Sequence, residues 1–189
     1  MTPTIIALII LGLVVLWVVF SFNSLIAHRN RAKEAWADID VQLKRRYDLI
    51  PNLINTVKGA ANFETSTLEK VVEARNTAMA GGTANAKDSA VNENMLTGAL
   101  KSVFALAESY PDLKANASFL SLQSELSDTE NKIQAARRFY NSNVMALNTA
   151  IESFPGNLIA GGFKFSQMDL YELSESDKVV MDKPVEVKF

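Results

Sequence analysis

Apolar residues recur at seven-residue intervals in two long stretches of the chain. The first stretch runs from about Asn23 to Ala61 and the second from about Ala115 to Ser153. Seven residues make nearly two helical turns, so the repeated side chains lie on one face of a helix. Each stretch therefore predicts a long amphipathic helix. The repeated positions are Trp36, Leu43, Ile50 and Val57 in the first stretch, and Phe119, Leu126, Ile133, Tyr140 and Leu147 in the second.

Two shorter helices are predicted between the long ones. One covers about Glu64 to Ala80 and ends at a Gly-Gly pair, and the other runs from Asp88, its expected N-cap, to Ser109. The long helices would each measure about 55–60 Å and can pair antiparallel, with the short hairpin covering their remaining apolar faces. The predicted fold is all-α: an antiparallel up-down bundle with two long helices, a helical hairpin and an extended C-terminal tail.

The N-terminal segment predicts a transmembrane helix. Residues from Ile5 to Phe22 carry no charge and would form roughly 27 Å of helix, close to the hydrocarbon thickness of a bilayer. A cleaved signal peptide is disfavoured because the basic n-region is missing and the apolar run is too long. The residues expected to anchor the helix in lipid are Ile5, Leu8, Leu11, Leu16, Trp17 and Phe20.

Basic residues follow the apolar segment and none precedes it. Arg29, Arg31 and Lys33 lie just after the segment, and the positive-inside rule then puts the N-terminus outside and the rest of the chain in the cytoplasm. These three side chains are also within reach of anionic lipid headgroups. Each such basic residue contributes about 1 kcal/mol to the attraction between the chain and the membrane surface. We expect a single-pass protein of the cytoplasmic membrane with an anchor at residues 1–27, a bundle at 28–160 and a tail at 161–189.

The composition of the chain excludes several kinds of functional site. The net charge of −2 disfavours binding to nucleic acid, and the chain has no cysteine and only one histidine, His28. Thiolate metal sites, disulfides and cysteine nucleophiles are thereby excluded, and imidazole-based sites nearly so. We therefore expect no metal, no cofactor and no enzymatic activity.

Polar residues nevertheless lie on or beside the predicted apolar faces of the long helices. The Glu-x-x-His element of di-iron bundles is absent, so we expect a structural network that fixes which helix faces pair. The residues expected in this network are Asp48, Asn52, Glu130, Arg137, Asn141 and Asn148. The basic run at residues 44–46 is expected to pair along its own helix with Asp40 and Asp48.

Several strings of the sequence resemble the LemA family. They are AWADIDVQLKRRYDLIPNLINTVKGAANFE with TLEKVVEARN, and YPDLKANASFLSLQSELSDTENKIQAARRFYNSNVMALN with IESFPGNLIAGGFKF. The resemblance implies a single-pass bacterial membrane protein with a cytoplasmic helical bundle. A magnetosome-associated branch of the family suggests a role in membrane organisation. The resemblance implies no catalytic activity, and it is weakest after Phe165.

The mismatch in helix lengths predicts self-assembly, since the short hairpin covers only about half of the long pair. The residues expected to be left exposed as an oligomer or partner surface are Trp36, Ile39, Tyr140 and Val144. The alternative is that the tail, with Leu170, Tyr171, Val179 and Val180, folds back over this surface. We expect a non-enzymatic scaffold or adaptor that contacts membrane lipids, further copies of itself and an unidentified membrane protein. The alternative is an accessory subunit of a membrane enzyme such as a protease.

Overall fold

A computed structural model describes residues 2–59, 64–81 and 86–171 of the chain, and helices are the only regular secondary structure in these ranges. The prediction of an all-α protein is therefore confirmed. The part of the predicted tail after Tyr171, including Val179 and Val180, lies outside the described residues. The helices are α1 (Thr2–Lys58), α2 (Thr65–Gly81), α3 (Ala86–Ala107), α4 (Pro111–Lys114), α5 (Ala117–Glu152) and α6 (Gly156–Gly162).

The predicted membrane segment and the first predicted bundle helix form one helix, α1. It contains an 18-residue window of mean hydropathy 3.1, and none of that window is buried. Among the described residues this is the one helix long and apolar enough to cross a membrane. Further along, Leu43, Ile50 and Val57 are buried, as the seven-residue repeat predicts. One helix thus begins as an exposed apolar span and continues as part of a protein core.

A side-chain cap marks the beginning of α5, whereas α3 begins two residues earlier than predicted. The side-chain oxygen Oδ1 of Asn116 accepts hydrogen bonds from the backbone N–H groups of Ser118 at 2.9 Å and Phe119 at 3.1 Å. Asn116 is therefore the N-cap of α5. The expected N-cap of α3, Asp88, is instead a residue of its first turn, because the helix begins at Ala86. A carboxylate there still interacts favourably with the positive end of the helix dipole.

The structure separates into two compact units, each with its own core. The first consists of the residues up to Asp38 together with Ala136–Leu170, and the second of Ile39–Ala135 together with Tyr171. Each unit thus combines distant segments of the chain, whereas the predicted boundaries cut it into consecutive pieces. The core of the second unit includes Ile50, Leu53, Val57, Leu68, Val71, Leu96, Leu100, Val103, Leu113, Phe119 and Leu126. The core of the first includes Leu25, Ile159 and Ala160.

Helix α6 was missed because its ends read as helix breakers in the sequence. It is closed by a Schellman motif in which Lys164 adopts a left-handed backbone conformation, with φ 55°. The N–H of Phe165 donates to the carbonyl of Ala160 at 2.9 Å, and the N–H of Lys164 donates to the carbonyl of Gly161 at 3.4 Å. The accompanying hydrophobic contact is also present, since Phe165 packs on the cluster that contains Ala160.

Candidate functional site

The densest polar cluster of the second unit is centred on Arg46 of α1. Its side chain is only 3% exposed. Nη1 donates to Oε2 of Glu93 at 3.3 Å, while Nη2 donates to Oε2 of Glu130 at 2.6 Å and to the hydroxyl of Thr97 at 2.7 Å. Glu93 and Thr97 lie on α3 and Glu130 on α5. One guanidinium therefore connects three helices.

Tyr47 and Arg75 extend this cluster to a fourth helix. The Tyr47 hydroxyl donates a short hydrogen bond to Oε1 of Glu93, whose side chain is 1% exposed. Burial, assisted by the hydrogen bond to Glu93, raises the pKa of Tyr47 far above its ordinary value. Arg75 of α2 donates through Nε to the backbone carbonyl of Tyr47 at 2.9 Å. We call Arg46, Tyr47, Arg75, Glu93 and Glu130 the charge network.

The register of the helices explains why charged residues lie inside the core. Arg46 falls midway between Ile39 and Leu53 in a seven-residue repeat, and Ile39 and Leu53 are fully buried. Glu93 likewise falls seven residues before Leu100, which is also buried. The buried faces of α1 and α3 therefore each present one charge to the same interior, where burial is tolerated because the charges compensate each other.

This arrangement is suited to holding helices together more than to catalysis. Arginine does not give up its proton in proteins, and the raised pKa of Tyr47 keeps that phenol protonated at neutral pH. Arg46 and Glu130 also border an open groove of about 680 Å³, with Lys101, Phe104 and Gln123 on its walls. Within the ranges that the structure describes, no three histidine, aspartate or glutamate side chains converge into a metal-binding group.

The polar residues predicted to form one interhelical network do not all lie in the protein interior. Glu130 takes part in the charge network, and Arg137 is buried in the first unit. Asp48 and Asn52 are exposed, so their assignment to an interhelical network was wrong. They lie two positions beyond the buried Arg46 and Ile50, which turns their side chains roughly 200° away from the core. The basic run was also misread, because Arg46 points into the protein.

Asn148 and Tyr140 hold the chain that follows α6. Asn148 donates through Nδ2 to the carbonyl of Met168 at 2.9 Å and accepts from the N–H of Met168 at 3.0 Å. The Tyr140 hydroxyl donates to the carbonyl of Asp169 at 2.9 Å. Asn148 thus satisfies both backbone groups of one residue, as a neighbouring strand would. Asn141, also predicted for the network, is half-buried.

The surface predicted to mediate self-assembly is not exposed. Ile39 and Val144 have no exposed area and Tyr140 is 3% exposed. Trp36 is half-buried, and its ring packs edge-on against Tyr140 with 5.1 Å between the ring centres. The prediction of an uncovered patch was therefore wrong. The alternative reading of the tail agrees with the hydrogen bonds from Tyr140 and Asn148 to residues 168 and 169 and with the burial of Tyr171, whereas Leu170 is 41% exposed.

The residues predicted to meet the membrane are on the surface. The basic side chains Arg29, Arg31 and Lys33 are exposed, and the Arg29 guanidinium lies 5.3 Å from the centre of the Phe165 ring. The predicted anchor residues are exposed by between 37% and 72%, and they are Ile5, Leu8, Leu11, Leu16, Trp17 and Phe20.

Comparison with known proteins gives two relatives and one family. The model of the LemA family matches residues 35–189, so the match continues past Phe165, where the resemblance was expected to be weakest. Protein LemA of Metamycoplasma hominis is 28% identical over 162 residues, which cover 85% of this chain and 73% of that protein. Magnetosome protein MamQ of Magnetospirillum gryphiswaldense is 20% identical over 188 residues, covering 87% of this chain and 68% of that protein. Neither name denotes an enzymatic activity.

Proposed function

Because the chain belongs to the LemA family, we propose that it is a non-enzymatic scaffold anchored in the bacterial cytoplasmic membrane by a single pass of α1. The N-terminus faces outward and the helical domain lies in the cytoplasm, where it binds other membrane proteins. The basic side chains Arg29, Arg31 and Lys33, which directly follow the apolar span, support this orientation.

The observation that carries the proposal is the charge network. The buried carboxylate of Glu93, together with Glu130, is engaged by Arg46 and Tyr47, so these groups are committed to contacts within the chain. Buried, mutually satisfied polar groups fix which helix faces pair and in which register. A scaffold needs such a fixed surface, whereas general acid–base chemistry needs a carboxylate that can reach a substrate.

Helix α3 offers partners an apolar contact surface. Val91 and Met95 lie one turn apart on it and are each 57% exposed. Methionine side chains adapt to differently shaped partners, which suits a binding surface. Self-assembly is not part of the proposal, because the residues from which it was predicted are buried within one chain.

Photo-cross-linking in native membranes tests the proposal. A photoreactive amino acid is placed at Met95 of the full-length chain, and a matched probe is placed at Lys132, an exposed α5 position that is paired with Asp128 at 2.8 Å. We expect discrete membrane-protein adducts from Met95 and none from Lys132. If neither position gives a protein adduct, the scaffold proposal fails. Adducts to one membrane protease alone would instead identify the chain as an accessory subunit.

A further inference from the structure

The turn between α5 and α6, together with α6, exposes large apolar side chains. Phe154 is 80% exposed, Leu158 63% and Phe163 56%. No residue from Ser153 to Phe163 has an ionisable side chain. We call this stretch the apolar turn. An aromatic residue before the proline that ends a helix would ordinarily pack against the helix end, but Phe154 is exposed to solvent. A cluster of exposed apolar side chains of this size is typical of a surface that contacts a membrane or another protein.

The apolar turn packs on α1 at the end of its apolar span. Ile159 and Ala160 are buried in one cluster with Leu25 of α1, and Val18 and Phe22 are partly buried against it. The ring centres of Phe22 and Phe163 are 4.8 Å apart. Since Phe22 ends the apolar run of α1, these contacts place α6 beside the end of that run.

The beginning of α6 also borders the exposed apolar surface of α1. A small cavity of about 300 Å³ is lined by Phe20, Ser21, Ala150 and Gly156. Phe20 is 72% exposed. The exposed apolar surface of the span is therefore continuous with the neighbourhood of the apolar turn.

Two backbone features fix the ends of the apolar turn. A Cβ on Gly156 would lie 2.7 Å from the carbonyl oxygen of Ala150, so only glycine permits the close return of α6 beside the end of α5. The Schellman motif at Lys164 then closes the other end of α6 and turns Phe165 back toward α1. The exposed side chains are thus presented by a turn whose two ends are fixed.

The charges around the apolar turn match a lipid headgroup layer. Arg29, Arg31 and Lys164 are exposed, and Arg29 lies over the ring of Phe165. The sequence from Ser153 to Met168 has no acidic residue, and the exposed Glu152 and Asp169 flank it on either side. Apolar side chains beside exposed cations are the composition of segments that lie in a membrane interface, with cations toward phosphate groups and apolar groups toward the acyl chains.

From these contacts we infer that the apolar turn is a second membrane contact, which inserts Phe154, Leu158 and Phe163 into the interfacial layer of the lipid bilayer beside α1. The inference rests on the proposed anchoring of α1 in the membrane. A single helix can rotate freely about its own axis in a bilayer. A second inserted element on one side of α1 fixes that rotation and so the direction in which the attached protein faces.

Fluorescence quenching in lipid nanodiscs tests the inference on the full-length chain. The protein has no cysteine, so single cysteines at chosen sites carry an environment-sensitive fluorophore without background labelling. The test variants are Phe154→Cys and Leu158→Cys. The anchor control is Leu8→Cys, and the matched control is Phe139→Cys, which replaces a phenylalanine 55% exposed on the same compact unit. Phe139 lies roughly 20 Å from the end of α5, along the helix axis.

We expect blue-shifted emission at Phe154 and Leu158 and its loss when the lipids carry a nitroxide near the headgroup, with neither effect at Phe139. If both test sites behave like Phe139 while Leu8 is quenched, the inference is overturned and the anchor stands. An unquenched Leu8 overturns the anchor and the inference with it. Blue-shifted emission at the test sites without lipid quenching means that protein covers the turn, which also overturns the inference.

A photoreactive phospholipid gives a second readout that needs no substitution. Trypsin cleaves after Arg138 and Lys164 and releases the apolar turn within a single peptide, residues 139–164. We expect lipid adducts on this peptide, localised by fragmentation to residues 154–163. Adducts confined to the apolar span of α1 contradict the inference.

Discussion

Replacing Glu93 with leucine is expected to destabilise the helical domain by about 3 kcal/mol, because the substitution leaves the buried Arg46 with one carboxylate fewer. The two side chains are 3% and 1% exposed and lie 3.3 Å apart. At an effective dielectric constant near 20, that separation corresponds to a Coulomb attraction of roughly 5 kcal/mol. The expected loss is smaller because Arg46 keeps Glu130, which is 25% exposed, and because removing Glu93 also removes the cost of its burial.

Thermal and urea unfolding of the full-length protein in mild detergent, followed by circular dichroism, measures this loss. The double variant Arg46→Met with Glu93→Leu should recover most of it, since the buried charge and its partner are removed together. Asp128→Asn is the control, because it breaks an ion pair with Lys132 whose side chains are about half exposed, and such pairs contribute little. Equal stability of the Glu93→Leu variant and the unsubstituted protein would refute the structural role of the network.

Three further predictions use the same unfolding assay or hydrogen exchange. The stability that the buried Tyr47 hydroxyl contributes should be constant up to about pH 10 and fall above it, because burial raises the pKa of Tyr47 and the folded state keeps a proton that the unfolded state releases. Burial also raises the pKa of Tyr140, so Tyr47→Phe should reduce the fall without abolishing it, and an unchanged slope would contradict the prediction. Leu126→Ala should lower the free energy of unfolding by about 2–5 kcal/mol, since Leu126 is 4% exposed. Leu120→Ala on the same helix, at a position that is 47% exposed, should lower it much less. Similar losses from the two substitutions would mean that the core is misassigned. Asn148→Ala should speed amide exchange at Met168, whose N–H it binds at 3.0 Å, and unchanged exchange there would contradict the proposed hold on this segment.

The seven-residue repeat was enough to predict the long helices and most of their cores. Phe119, Leu126, Ile133, Tyr140 and Leu147 are all buried, as predicted from their spacing along α5. The repeat succeeds because side-chain direction on a helix depends only on position in the sequence. The prediction of an apolar segment long enough to span a membrane depends on local composition in the same way.

Glu130 was predicted to join an interhelical network, but Arg46 and Glu93 were not, because Arg46 was expected to pair along its own helix and Glu93 was not singled out. Arg46 occupies a core position between Ile39 and Leu53, and Glu93 does so before Leu100. Reading these helices by register, regardless of residue type, would have placed both charges inside. Their pairing joins residues 47 positions apart in the sequence, and such long-range contacts leave no local periodic signal.

Helix α6 and the return of the chain along α5 depend on contacts that the periodicity of apolar residues does not predict. Asn148 was correctly noted as a polar residue near the apolar face, but its partner is the backbone of Met168, and backbone groups have no sequence signature. Gly156, which a sequence pattern takes as a helix breaker, instead permits the close approach of α6 to the end of α5. The exposed patch predicted for self-assembly therefore had a cover that the sequence offered only as an alternative.

The topology of the chain is the claim on which the proposed scaffold depends most directly, and cysteine labelling of intact cells measures it. Thr4→Cys and Met95→Cys, in a chain that otherwise lacks cysteine, are exposed to a membrane-impermeant maleimide before and after lysis. We predict that Thr4→Cys is labelled in intact cells and that Met95→Cys, on α3, is labelled only after lysis. Labelling of Met95→Cys in intact cells, or of both sites equally in the absence of lysis, would contradict a membrane-anchored scaffold that faces the cytoplasm.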